Sequence, residues 1–242
     1  LIACSDDNTV SNDEDTDGDP TPETEEQTDS GDPDDSMNEE TDSGVSETSA
    51  RYQVTFNATW SSDTHPENFP PNPHFSPLIG AIHNEQVIFW ETGQPASEGI
   101  ETMAETGGTS TFQTEINDAI ANGYATTLIS EGGIAESPAA IVFEIAVDRD
   151  YPLITLTSMV APSPDWFVGI HNFSLVVDGS FVDAVTVELP VYDSGTDSGA
   201  NYVSANSDTQ PPEPISLLTS NPGDSPFING LPIAGNFVFE KL

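Results

Sequence analysis

The chain has 242 residues, enough for one domain of ordinary size plus extensions. Asp and Glu number 42 against 3 Lys and Arg, a formal net charge of −39. Three basic residues cannot supply a phosphate footprint, which excludes nucleic acid, and the same shortage disfavours direct docking on anionic lipid.

The chain opens Leu1, Ile2, Ala3, Cys4. An aliphatic residue three positions before a cysteine and a small one directly before it resemble the bacterial lipobox, where a signal peptide is cut and the new N-terminal cysteine is lipidated. Cys4 is the single cysteine, so there is no disulfide framework, and a lone structural thiol would be odd in an exported protein. Ser5 follows it, whereas Asp there is the usual inner-membrane retention signal in enteric bacteria. The expectation is an outer-membrane lipoprotein, periplasm-facing or cell-surface exposed, held to the bacterial membrane by lipid on Cys4. Residues 1–4 are then the residual lipobox.

Residues 5–50 hold 18 acids, no Lys or Arg and almost nothing apolar. Such a segment buries too little surface to offset the entropy of ordering, which predicts a disordered acidic tether. A neutral flexible chain of that length spans about 40 Å, and self-repulsion extends it. Nowhere does the sequence run apolar for the roughly 18 residues that a membrane helix needs.

Residues 51–242 read as the folded domain. Tyr52, Val54, Phe56, Ala58 and Trp60 alternate with Gln53, Thr55, Asn57 and Thr59, the pattern of a half-buried strand. Residues 79–84 and 86–91 read as short strands. Residues 97–106 and 111–121 read as helices, from Ser97 before Glu98 and from Ile100, Met103, Ala104, then Phe112, Ile116 and Ile120 at helical spacing. Residues 140–147, 152–160, 166–170, 183–189 and 236–242 are strand-like, rich in β-branched and aromatic residues. Short strands parted by Gly/Pro turns predict a mainly β fold, a sandwich or barrel with a small helical insertion. The Pro/Ser/Asn-rich loop at 200–232 is expected to lie over one sheet edge.

Two loops carry the candidate chemistry. APSPDW (161–166) places Asp165 after one strand, and YDSGTDSG (192–199) places Asp193 and Asp197 after another. Carboxylates converging from separate loops suit a hard cation such as calcium, which takes six to eight oxygens. Asp and Gly also populate ordinary turns, so on residues alone a solvated turn stands beside a cation site. If the delivering strands run the same way, the loops share one end of the domain. Without a cation the aspartates repel and their pKa values rise.

Around these words the chain resembles the spondin domain of F-spondin and its relatives. The resemblance runs through YQVTFNATWSSDTHPENFP (52–70), FSPLIGAIHNEQVIFWETGQPASEGIETMAETG (75–107), MVAPSPDWFVGI (159–170), LPVYDSGTDSG (189–199) and LTSNPGDSPF (218–227). It implies an antiparallel β-sandwich similar to calcium-dependent phospholipid-binding sandwich domains, with one calcium at one end. It also implies that Asp165, Asp193 and Asp197 are the metal ligands. The cysteines of the animal domains have no counterparts in these words, and the expectation is a spondin domain without the flanking reeler and thrombospondin modules.

Competing chemistry is thin. The histidines His65, His74, His83 and His171 show no metal-ligand spacing and no HExxH, which argues against zinc. No G-x-S-x-G elbow occurs. The reading is a calcium-binding, non-catalytic extracytoplasmic binding or adhesion module for a matrix, glycan or protein ligand. An enzyme using the calcium-lined end, or a passive surface protein, stands as the alternative.

Overall fold

The computed structural model describes residues 47–219 and 227–242. Cys4 and the expected tether as far as residue 46 lie outside the described residues. In chain order the elements are β1 (Ser49–Ala58), β2 (His74–Phe75), β3 (Ile79–His83), α1 (Glu98–Thr106), α2 (Ser110–Ala121), β4 (Ala125–Ser130) and β5 (Ala139–Asp148). There follow β6 (Leu153–Ala161), β7 (Trp166–Ser174), β8 (Val176–Val177), β9 (Ser180–Phe181), β10 (Ala184–Leu189), β11 (Val191–Asp193), β12 (Ser216–Leu217) and β13 (Gly235–Lys241).

Strand β1 behaves as its alternation predicts: Tyr52, Val54, Phe56 and Ala58 are buried. It starts at Ser49, two residues inside the expected tether, because Ala50 is buried opposite Val147 of β5. The chain-terminal strand β13 pairs with β1 on its other side, and β10 completes a four-stranded antiparallel sheet in the order β10-β13-β1-β5.

The second sheet runs β12-β11-β7-β6-β3-β4, with β2 also paired to β6. The two sheets form an antiparallel β-sandwich. Its core joins Phe56, Phe143, Phe237 and Phe239 of the first sheet to Leu156, Val160, Trp166 and Val168 of the second. Burying each such side chain contributes roughly 1.5–3 kcal/mol.

The second sheet is covered on both faces, which explains why β3 and most of β6 are buried without alternation. Even-numbered Ile154, Leu156 and Val160 face the sandwich core, while Met159 and Ala161 join a second core with Ile100, Met103, Phe112 and Ile116 of the helices. Polar residues inside β6 are satisfied: the Thr155 hydroxyl lies 2.8 Å from His83 Nε2, and Ser158 donates to the Ser76 carbonyl at 2.7 Å. Both helices form where their spacing places them. Ser97 caps α1 by accepting the Ile100 N–H at 3.2 Å, and left-handed Gly107 (φ 70°) ends it.

Two local expectations change. Residues 86–91 form no strand. Neighbouring Phe89 and Trp90 are both buried, Phe89 against Phe112 and Trp90 against Phe167 and Tyr192, and a half-buried strand cannot send consecutive side chains to one core. Conversely β4 escaped notice, because Thr126 and Thr127 are exposed on a sheet edge and leave little apolar signal. The 200–232 loop does reach a sheet edge, since β12 pairs with β11 there.

Candidate metal centre

Strand direction brings the two aspartate loops together. β7 runs antiparallel to both β6 and β11, so the loop leaving β6 and the loop leaving β11 share one end of the sandwich. Asp193 stands directly opposite Trp166, one residue after Asp165. The chain changes sheets between β10 and β11, so it is the three-residue β11 that delivers Asp193.

Asp165 is fully buried, and its Oδ2 is the hub of the cluster. It accepts the backbone N–H of Thr196 at 2.8 Å, that of Asp197 at 3.0 Å and the Ser194 hydroxyl at 3.0 Å. Its Oδ1 is buried with no hydrogen-bond partner. Asp193 Oδ1 accepts the Gly195 N–H at 2.7 Å, closing a tight turn with Gly195 at φ 76°. A side chain at Gly195 would meet the Glu213 carbonyl oxygen at 2.2 Å, so only glycine fits.

Asp197 does something different. Its Oδ1 accepts the Gly199 N–H and its Oδ2 the Ser207 N–H, each at 2.7 Å. Both oxygens therefore clamp the 198–207 loop to its own start.

A fourth carboxylate escaped the sequence reading. Glu105, in the last turn of α1, has a buried Oε1 without a partner. Burial raises its pKa, the Thr196 hydroxyl partly offsets this, and Glu101, Asp165 and Asp197 raise it further. Burial likewise raises Asp165, against the N–H groups of Asp197 and Thr196 that favour its charge. Asp193 is pushed up to about 7, first by burial and then by the Asp165 charge, with Glu213 and Asp197 adding to it. Loop placement and the family words both point to the aspartates; nothing in the local sequence marks Glu105, which reads as an ordinary polar helix position.

No cation of the protein itself answers these charges. Of the chain's 3 basic residues, Arg51 pairs with Glu144, Lys241 with Glu47, and Arg149 donates to the Glu47 carbonyl. Among the described residues no group of three or more His, Cys, Asp or Glu is arranged so that it could hold a metal ion. A hard cation here must therefore complete its shell with carbonyl or water oxygens, which calcium accepts. The orphaned, buried Asp165 Oδ1 and Glu105 Oε1 fit that role, with Asp193 beside them, and Asp197, whose two oxygens each accept one backbone N–H, retains lone pairs for a cation. An open cleft of ≈ 270 Å³ adjoins, lined by Asp193, Gly195, Asp197, Ser198, Gly199, Ala200, Thr209, Glu213 and Thr219.

Comparison with known proteins decides the family. The Spondin_N family model matches residues 50–229. The chain belongs to this family. It is 38% identical over 205 residues to Spondin-1 of Gallus gallus, covering 80% of this chain and 26% of that protein. Against Spondin-1 of Homo sapiens it is 36% identical over 178 residues, covering 71% of this chain and 22% of that protein. Against Spondin-2 of Homo sapiens it is 30% identical over 199 residues, covering 80% of this chain and 57% of that protein. This spondin chain thus spans about a quarter of the Spondin-1 relatives and over half of Spondin-2. Among its described residues no helix is long and apolar enough to cross a membrane.

Proposed function

We propose that this spondin chain is a calcium-binding, non-catalytic binding or adhesion module acting outside the cytoplasm. One observation carries the reading: Asp165 Oδ1 and Glu105 Oε1 are buried, acidic and unpartnered in a chain whose Lys and Arg are engaged elsewhere. A buried carboxylate oxygen without donor or counter-ion costs free energy until a cation or proton answers it. Asp165, Asp193 and Asp197 are the proposed protein ligands, Glu105 adds a carboxylate from the helix, and Asp197 also holds the loop that frames the ion. Calcium supplies positive charge that orders this end of the sandwich. Isothermal titration of calcium into the chelator-treated chain tests the reading. Saturable binding lost in Asp165→Asn supports it; equal heats from both proteins refute it.

Display as a lipoprotein belongs to the same proposal, with lipid on Cys4, the residues from 5 to the start of β1 at Ser49 as spacer and the outer membrane as address. Its support is the Leu1-Ile2-Ala3-Cys4 word ahead of an acidic, cation-free segment. Mass spectrometry of the native protein should find diacylglyceryl on Cys4, and Cys4→Ser should release the protein from the membrane. Unmodified Cys4 recovered from the membrane fraction would refute the anchor.

A further inference from the structure

A second concave site lies between two loops, with Asn68, Phe69, Pro70 and Pro71 on one wall and Asn201, Tyr202 and Val203 on the other. Its volume is ≈ 380 Å³, within the range of small-molecule sites. Not one lining residue is charged, in a chain of formal net charge −39.

The floor is aromatic and fixed in place. Phe69 and Tyr202 both pack on Trp60, with ring centroids 5.2 and 5.4 Å away, and Trp60 Nε1 donates to the Tyr202 hydroxyl at 3.2 Å. Tyr202 is itself buried, 2% exposed, so it backs the floor, and half-buried Phe69 is the ring the cleft presents. Asn68 and Asn201 bring primary amides, each able both to donate and to accept, and Asn201 Oδ1 already accepts the Val203 N–H at 3.2 Å. Val203 is 72% exposed, an apolar side chain held at the rim and not in the core. The second wall is preorganised by the Asp197 clamp, which ties Gly199 and Ser207 on either side of it.

We propose that this cleft binds an uncharged pyranose ring of a glycan. Such a ring has an apolar C–H face suited to the single half-buried Phe69 ring and hydroxyl edges suited to the Asn68 and Asn201 amides. It carries no charge for the acidic chain to repel. A uronic or sulfated sugar would enter a cation-free cleft on a strongly negative protein, which disfavours it. The inference rests on the binding-module reading but not on the cation, because the cleft is distinct from the carboxylates around Asp165.

The test is saturation-transfer NMR on the full chain, in chelator and again in calcium. The probes are the methyl glycosides of glucose, galactose, mannose and N-acetylglucosamine, with glucuronic acid as the charged control. At least one neutral glycoside should bind in both buffers, with a dissociation constant of about a millimolar, and glucuronic acid at least about tenfold more weakly. Val203→Arg fills the mouth from an exposed position and should weaken that glycoside at least about tenfold, with the melting temperature unchanged. Asn68→Asp is the second variant, since Asp tolerates the left-handed backbone there (φ 50°), and should weaken it in the same direction. No neutral glycoside binding, equal binding of glucuronic acid, equal binding by both variants, or binding only with calcium would each overturn the proposal. Glycoside binding in chelator together with no calcium-induced stabilisation would sink the cation reading alone.

Discussion

The Asp165 carboxylate holds the backbone N–H of Thr196 at 2.8 Å, across 31 positions of sequence. That bond makes one structure of two loops, and it pits two effects against each other. The donors favour a charged Asp165, whereas burial and the Asp197 charge oppose it.

Replacing Asp165 therefore separates hydrogen bonding from charge. Asp165→Ala leaves the Thr196 and Asp197 N–H groups without their acceptor and should cost about 2–4 kcal/mol in chelator-treated protein. Asp165→Asn keeps an acceptor oxygen and relieves repulsion on Asp193, so it should cost under about 1 kcal/mol. Urea unfolding of both variants checks the ordering; equal losses would contradict it.

Calcium should stabilise the fold by mass action. At a free concentration 100 times the dissociation constant the gain is about 2.7 kcal/mol, which raises the melting temperature by roughly 5–10 °C in a domain of this size. Asp193→Asn and Glu105→Gln should each remove most of that rise. Asp178→Asn should leave it intact, because Asp178 and Gly179 form the left-handed turn of the separate β8–β9 hairpin. Scanning calorimetry with and without chelator makes the comparison.

Acidification should weaken the domain through His65. Its ring is buried, with Nε2 3.1 Å from the Pro232 carbonyl and Nδ1 2.8 Å from the Thr64 hydroxyl. Burial lowers its pKa from 6.5, against a smaller opposing effect of the Pro232 bond. The unfolded chain thus binds the proton first: the contribution is whole above 6.5 and is lost as pH falls through the depressed folded value. Asp193 works in the opposite sense, since its folded pKa is raised to about 7 and ionisation on raising pH costs the apo fold. The difference between wild type and His65→Gln, measured by urea unfolding from pH 7.5 to 5, isolates the histidine. A difference that does not change with pH would contradict the assignment.

Gly195→Ala should damage the site selectively. The new methyl meets the Glu213 carbonyl at 2.2 Å in a backbone region that strains any L side chain, a cost of about 1–3 kcal/mol or more. Hydrogen exchange should quicken at Glu213, whose N–H donates to the Gly195 carbonyl at 2.8 Å, and stay unchanged in β1. Protection at Glu213 equal to the wild type would show that the turn absorbs the methyl.

The sequence by itself determined the period of each long element. The alternation of Tyr52, Val54 and Phe56 specifies a strand with one buried face, and the Ile100, Met103 spacing after Ser97 specifies a capped helix, because both patterns are local. The aspartate words were legible for the same reason: Asp193 and Gly195 close their turn within three residues. Tertiary structure decided what local pattern cannot carry. Residues 86–91 look like a strand until Phe89 and Trp90 are both drawn into the helical core. Asp197 looks like Asp193 until the Ser207 N–H, ten positions on, occupies its second oxygen. Glu105 joins the acids only because α1 lies across the second sheet, where burial removes the water that would have screened it.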